Sequence, residues 1–463
     1  MQDRQEPNFS RRAALRATTA GFGFLALRGL VSAGDSGSLV GRLHHQARAK
    51  RVIFLSMAGA PSHVDTFDYK PRLRADDGKG APGEYRRGAK LMGSPWDFKQ
   101  SGKSGLWISE LFPHLSKQAD HLCLMHGMQT EVPAHSQAFV RMHTGSFQFV
   151  RPSLGSWLHY GLGSANENLP GFVTLNPPSG QGGAQNYGSA FLPAQHQGVR
   201  IGIERESRAL RQDERSEPVA NINNPRADAK QQRRQLDLVQ KLNEERAKSD
   251  AAGEALEGVI ESYELAYRMQ AELPDLLDLS AEKPKTLELY GIGEEGSSEF
   301  GRQCLMAKRL AESGVRFIEV NQGGWDHHRN LREALPASCR GVDKPIAGLL
   351  EDLDRSGMLE DTLVLWSGEF GRTPYAQGTD GRDHNNRGYT SWMAGGGVKG
   401  GFSYGQTDEY GIEAVDGQVS THDWHATILH ILGLDHERLT FNYAGRDFRL
   451  TDVHGSVVED ILS

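Results

Sequence analysis

Phe300-Gly-Arg-Gln-Cys-Leu-Met-Ala-Lys-Arg-Leu-Ala-Glu-Ser313-Gly314-Val315-Arg-Phe-Ile-Glu-Val320 sets the fold class. Cys304, Leu305, Ala307 and Leu310 recur at helical spacing, which predicts a helix over Phe300–Ser313. Gly314 ends it, and Val315–Val320 is a short apolar run that reads as a strand. The unit recurs downstream. Pro345–Ser356 predicts a helix with Ile346, Leu349, Leu350 and Leu353 on one face, and Thr362–Trp366 a strand. Tyr389–Ala394 reads as a further strand, closed by Gly395-Gly396-Gly397. Upstream, Arg51–Met57 and Leu122–Met125 read as strands, and Ser136–Thr144 as a short helix stopped by Gly145. Helix followed by strand, repeated, predicts an α/β fold with a mostly parallel central sheet between helices. Ligands in such folds gather at the carboxyl ends of the strands.

Polar clusters fall at those ends. Pro61-Ser-His63-Val-Asp65 follows the first strand, and His63 and Asp65 are placed to serve one ion or to hydrogen-bond a loop. Gly323-Gly-Trp-Asp326-His327-His328 follows Val315–Val320; Asp and neutral imidazole are ordinary metal ligands. Adjacent histidines do not readily reach one ion, so one of His327 and His328 is expected behind the ligands. Ser367-Gly-Glu369-Phe-Gly-Arg372 follows Thr362–Trp366, with Glu369 a candidate ligand and Arg372 suited to grip an oxyanion. Gly381-Arg-Asp383-His384-Asn-Asn-Arg387 is too dense in potential ligands for an ordinary linker. Ser420-Thr-His422-Asp-Trp-His425 opens a helix and also reads as capping and packing.

The chain has 463 residues, 38% hydrophobic and 24% charged, with a net charge of −7. These values suit a globular enzyme and give no basic excess for nucleic acid. Three cysteines, none in a Cys-x-x-Cys pair, argue against a disulfide framework. Residues 204–285 are strongly charged and favour helix over Gln231–Lys248 and Ala251–Glu272, which predicts a solvated helical insertion or a partner-binding arm. At the N-terminus, Arg11-Arg12 precedes a weakly apolar run from Ala17 to Ala33 that ends in Val31-Ser-Ala33. This pattern predicts a twin-arginine-type export signal over 1–33 and a periplasmic or secreted protein. No other apolar stretch is long enough to span a membrane.

The segments Met57–Pro71, Gly323–His328, Leu363–Pro374, Gly381–Gly401 and His422–Asp452 resemble the bacterial family catalogued as domain of unknown function 1501. That family sits with the alkaline phosphatase and sulfatase superfamily, and the resemblance covers most of residues 45–460 as a single domain. It implies a mixed sheet between helices, a two-metal site and a nucleophile at a helix start. Thr144-Gly145 is similar to the end of the sulfatase signature, which puts His135 where the nucleophile stands, with Ser136 beside it. Asp326 resembles a superfamily metal ligand, Asn330 replaces the expected His, and His328 is a substitute. Glu369-Phe370 stands where Asp-His is usual, and His384 resembles the last His ligand. Ala58-Gly59 occupies the place of an Asp ligand, with Asp65 or His63 available from the loop.

Together these readings predict a metal-dependent hydrolase of sulfate or phosphate esters that lacks the usual nucleophile at its expected position. Asp326, His328, Glu369 and His384 would hold a divalent metal (Zn, Ca, Mn or Mg), aided by Asp65 or His63. Arg372 would neutralise the oxyanion, His135 would act as acid or base, and Ser136 or water would attack. His327, Asp383 and His422 would support the ligands from behind. The substrate would be a small-molecule or glycan ester. The alternative is a non-catalytic exported protein that binds a sulfated glycan or a partner protein, the latter through 204–285.

Overall fold

Arg51–Met57 (β1) is an apolar run buried from Val52 onward because it has a parallel partner on each side. It lies inside a nine-stranded sheet with β2 (Leu122–Gln129), β3 (Phe172–Leu175), β4 (Val199–Ile201), β5 (Phe317–Gln322), β6 (Thr362–Ser367), β7 (Tyr389–Ala394), β8 (Phe402–Tyr404) and β9 (Val419–Ser420). The order is β8-β2-β7-β6-β1-β5-β3-β4, and β9 also pairs with β2. The sheet is mostly parallel, and the reversed strand is β7, antiparallel to both β2 and β6. No helix carries the chain back across the sheet between β6 and β7. The chain instead folds a hairpin from 371–376 and 382–385 beyond the carboxyl end of β6 and re-enters the sheet from that edge.

This structure is a computed structural model and describes residues 43–82, 88–202, 228–249 and 253–463. The expected export signal over 1–33 lies outside the described residues, as do 204–227 and 250–252 of the expected insertion. Leu43–Ser463 is one compact unit.

Side chains alternate across β1, as the strand's period of two requires. Ile53, Leu55 and Met57 face a core shared with Cys304, Leu305 and Leu310 of α5 (Ser298–Glu312) and Leu335, Leu349 and Leu353 of α6 (Leu331–Arg355). Phe54 faces the other way, with ring contacts to His143 of α1 (His135–Thr144) at 5.7 Å and Trp424 of α7 (Thr421–Ile431) at 5.5 Å. Helices therefore cover both faces.

Helix α6 is longer than Pro345–Ser356: it starts at Leu331 and runs through Pro336 and Pro345. An interior proline costs about 3 kcal/mol. The buried row Leu331, Leu335, Cys339, Val342, Ile346, Leu349, Leu350 and Leu353 outweighs that cost, since each such side chain contributes about 1.5–3 kcal/mol on burial. Within the expected insertion, α3 (Ala229–Ser249) and α4 (Gly253–Leu277) are joined by Arg233, which donates to both carboxylate oxygens of Glu264 at 2.8 and 2.6 Å. Met269 and Leu273 fasten α4 to the main core. Among the described residues no helix is long and apolar enough to cross a membrane.

Candidate metal centre

Three imidazoles and one carboxylate meet beyond the carboxyl ends of β1, β5 and β6. His135 opens α1, Asp326 and His328 follow β5, and His384 lies in the hairpin before β7. One donor atom from each falls within 4.8 Å of all the others. Asp326 Oδ1 is 2.9 Å from His328 Nε2, 3.1 Å from His135 Nε2 and 3.7 Å from His384 Nε2. The Nε2 atoms of His328 and His384 are 2.9 Å apart.

The other nitrogen of each ring explains this convergence. His135 Nδ1 donates to Glu369 Oε1 at 2.5 Å, His384 Nδ1 to the Pro133 carbonyl at 2.6 Å, and His328 Nδ1 to Gln377 Oε1. All three acceptors lack a proton to give, so each neutral ring carries its hydrogen on Nδ1 and turns an Nε2 lone pair inward. His135 Nε2 faces Asp326 Oδ1 and makes no contact with a neutral acceptor. Lone pairs facing each other at 2.9 Å repel unless a proton or a cation lies between them. A tetrahedral ion with bonds of 2.0–2.1 Å holds its ligand atoms about 3.3 Å apart, close to the separations seen here. The donor set therefore fits a divalent cation, with outer partners that fix tautomer and ring plane.

The loops are held by backbone contact. Gly59 has φ of +109°, and a Cβ there would stand 2.7 Å from the Asp326 nitrogen and 2.9 Å from that of Trp325. Glycine thus lets the loop after β1 touch the loop after β5. Gly59 N–H donates to both oxygens of Glu369, at 3.1 and 3.2 Å. Arg372 ties the same loops: it donates to the carbonyls of Ala60 (3.0 Å) and Gly59 (2.5 Å) and to Asp326 Oδ1 (2.6 Å).

Several expected residues take other places. Glu369 is fully buried and turned onto His135 and Gly59, so it orients a ligand rather than joining the four donors. Arg372 is 1% exposed, with its guanidinium occupied by carbonyls and Asp326, and offers no open fork to an oxyanion. His63 and Asp65 stand apart from the four donors. His63 Nε2 donates to the Gly411 carbonyl at 2.8 Å while its Nδ1 accepts from Arg372 N–H at 3.4 Å. Asp65 accepts both arms of fully buried Arg382, at 2.6 and 2.9 Å, and the Ser62 hydroxyl at 2.5 Å. His135, expected as acid or base, is among the donors, and Ser136 beside it is exposed. His327 is turned towards the Ser338 hydroxyl at 3.3 Å; burial first, then Arg372, lowers its pKa to about 4. Asp383 Oδ1 accepts the His384 N–H at 2.9 Å. His422 lies at the other end of α1, with Nε2 donating to the Gly145 carbonyl at 3.0 Å. Gln377 and the Pro133 carbonyl were not foreseen: a neutral amide in a turn and a backbone oxygen carry no motif.

Charge sharpens the picture in the metal-free state. Burial works to lower the pKa of His135, but its hydrogen bonds and charge contacts with Asp326 and Glu369 outweigh burial and push it up to about 9. Burial likewise disfavours ionised Asp326, yet His135, His384 and Arg372 hold it well below the carboxylate range. Asp326 is 45% exposed, so the cluster keeps one open side. A cavity of about 390 Å³ takes His328 into its lining, with Arg329, Asn330, Gln377 and Asp380.

Comparisons with solved structures find distant likenesses. A sulfatase, PsFucS1 from Pseudoalteromonas sp., is 12% identical, with 84% of this chain and 69% of that chain covered at a TM-score of 0.36. The alkaline phosphatase from the Antarctic bacterium TAB5 is 9% identical, with 76% and 92% covered at 0.32. The C-terminal periplasmic domain of EcEptC from Escherichia coli, in complex with Zn, is 8% identical, with 91% and 98% covered at 0.36. None of these carries a residue role or an activity over to this chain. A search of curated proteins finds no match. A family model described as "Protein of unknown function (DUF1501)" matches residues 49–462, which include every residue of the four-donor cluster, and the chain belongs to that family.

Proposed function

We propose that the protein is a metal-dependent hydrolase of sulfate or phosphate esters, centred on Asp326, His135, His328 and His384. The observation that carries this reading is the convergence of three Nε2 lone pairs and one carboxylate, with every Nδ1 proton anchored from behind. Three imidazoles favour zinc and disfavour calcium and magnesium, which prefer oxygen ligands. A divalent ion bound there supplies a Lewis acid and lowers the pKa of a coordinated water.

The protein's own groups do the rest. Glu369 holds His135 in plane, and Arg372 fixes Asp326 from the buried side, which leaves the exposed side of that carboxylate towards substrate. Water or the hydroxyl of Ser136, which directly follows His135, would attack the ester. Arg11-Arg12 before the apolar run supports export, so the substrate would be met outside the cytoplasm.

One observation favours a second reading. Four protein donors saturate a tetrahedral ion, whereas catalytic zinc usually has three and an open position. On that reading the protein binds without catalysis. Purified protein loaded with zinc and given nitrophenyl sulfate and nitrophenyl phosphate separates the two. The hydrolase reading expects turnover that is lost with the bound ion in Asp326→Ala. A tightly bound ion with no turnover of either ester contradicts hydrolysis and supports the binding reading.

A further inference from the structure

We propose that a second pocket, at the far end of α1, binds one anionic sugar ring through Arg151 and the aromatic side chains around it. The pocket is a cavity of about 270 Å³, room for about one ring, and includes Gly145, Phe149, Arg151, His422, Phe448 and His454 in its lining. At a rise of 1.5 Å per residue, α1 places it about 15 Å from the metal centre. The proposal is independent of the hydrolase reading.

The cations of this pocket are unequal. Arg141 is paired with Glu131 and donates to the Gly145 carbonyl. Arg449 is paired with Glu437 at 3.3 Å, and nearby Arg446 with Asp452 at 2.7 Å. Arg151 makes no ion pair or hydrogen bond among the described residues. Its guanidinium carbon lies 4.4 Å from the centre of Phe448, 5.2 Å from Phe149 and 5.9 Å from Phe191, and Asp452 attracts it from beyond ion-pair distance. Cation–π contacts use the flat face of a guanidinium and leave its N–H edge free to fork onto an anion. The two acids of the pocket, Glu131 and Asp452, already have arginine partners. A positive charge with no carboxylate in direct contact therefore faces a half-enclosed space.

The surroundings define what carries the anion. Phe149 is 61% exposed and Tyr443 50% exposed, although both are large aromatics. Phe149 and Phe448 line the pocket, and Phe191, which packs on Phe448 at 5.0 Å, stacks behind on Tyr443 and Phe441 at 16° each. His422 and His454, also in the lining, stack at 5.1 Å and 13°. His422 gives its Nε2 proton to Gly145, so its Nδ1 is an acceptor suited to a hydroxyl. Flat apolar walls, an imidazole acceptor and one forked cation match a pyranose ring with a sulfate or carboxylate substituent.

Calorimetric titration of the full folded chain tests this. The probes are glucose 6-sulfate, glucuronate, glucose and inorganic sulfate; the proteins are wild type, Asp326→Ala and Arg151→Met. At least one anionic sugar should bind wild type and Asp326→Ala alike, and Arg151→Met should weaken it about tenfold or more. The sulfate and carboxylate arms tell which anion is preferred. Should Arg151→Met fail to fold, Phe149→Ala, a surface change, is expected to weaken the same binding severalfold. The proposal is overturned by no saturable binding of either anionic sugar, by binding unchanged in the folded variants, or by glucose or inorganic sulfate binding as tightly. Binding lost in Asp326→Ala but kept in Arg151→Met assigns the ligand to the metal centre and also overturns it.

Discussion

Zinc capture by the metal-free protein is expected to strengthen steeply with pH, because the ion must displace a proton from His135. Asp326 and Glu369 overcome the burial of that ring and push its pKa up to about 9. At pH 7 only about one molecule in a hundred then has a free Nε2 lone pair on His135. Apparent affinity should therefore rise about tenfold per pH unit up to about pH 9, roughly a hundredfold from pH 7. The assay is calorimetric titration near pH 7 in two buffers of different protonation enthalpy, repeated across the range. About one proton should be released per ion bound. A release near zero with flat affinity refutes the reasoning. Stability follows the same sign. A pKa raised above the unfolded value of about 6.5 means that the His135 contacts stabilise the metal-free fold fully below that pH. The contribution disappears as pH rises through about 9, so the metal-free melting temperature should fall across this window while the loaded form changes less.

Glu369→Gln keeps an oxygen for His135 Nδ1 but removes the charge behind the ring; zinc affinity measured above pH 9 should fall about 10–100-fold with the fold intact. Asp65→Ala leaves the guanidinium of Arg382 fully buried without its partner, and chemical unfolding should show a loss of about 3–5 kcal/mol. Gly59→Ala combines a disfavoured φ of +109° with a Cβ 2.7 Å from the Asp326 nitrogen; zinc binding should be lost or the chain should fail to accumulate, as metal analysis and expression yield would show.

The sheet was legible where strands are continuous apolar runs. Arg51–Met57, Phe317–Gln322 and Thr362–Ser367 are buried on both faces, so composition alone marks them. The reversal of Tyr389–Ala394 was not legible, because direction depends on where the preceding hairpin leaves the chain. Pro345 misled the helix boundary, since local propensity gave way to a longer buried row. At the site, Asp326, His328 and His384 follow from ligand chemistry past strand ends. The part played by Glu369 does not, because only the packed loops show that its carboxylate meets His135, 234 residues away. Asp65 has the composition of a ligand and is instead the partner of Arg382, 317 residues on, a pairing that no local spacing encodes.

In the proposed centre one cation joins four side chains from three separate segments of the chain. Anomalous diffraction at the zinc edge, from crystals of the zinc-loaded protein, tests it directly. The expected result is one ion bonded to Nε2 of His135, His328 and His384 and to an Asp326 oxygen, at about 2.0–2.2 Å. An ion bound elsewhere, or no ion among these residues with zinc in saturating excess, contradicts it.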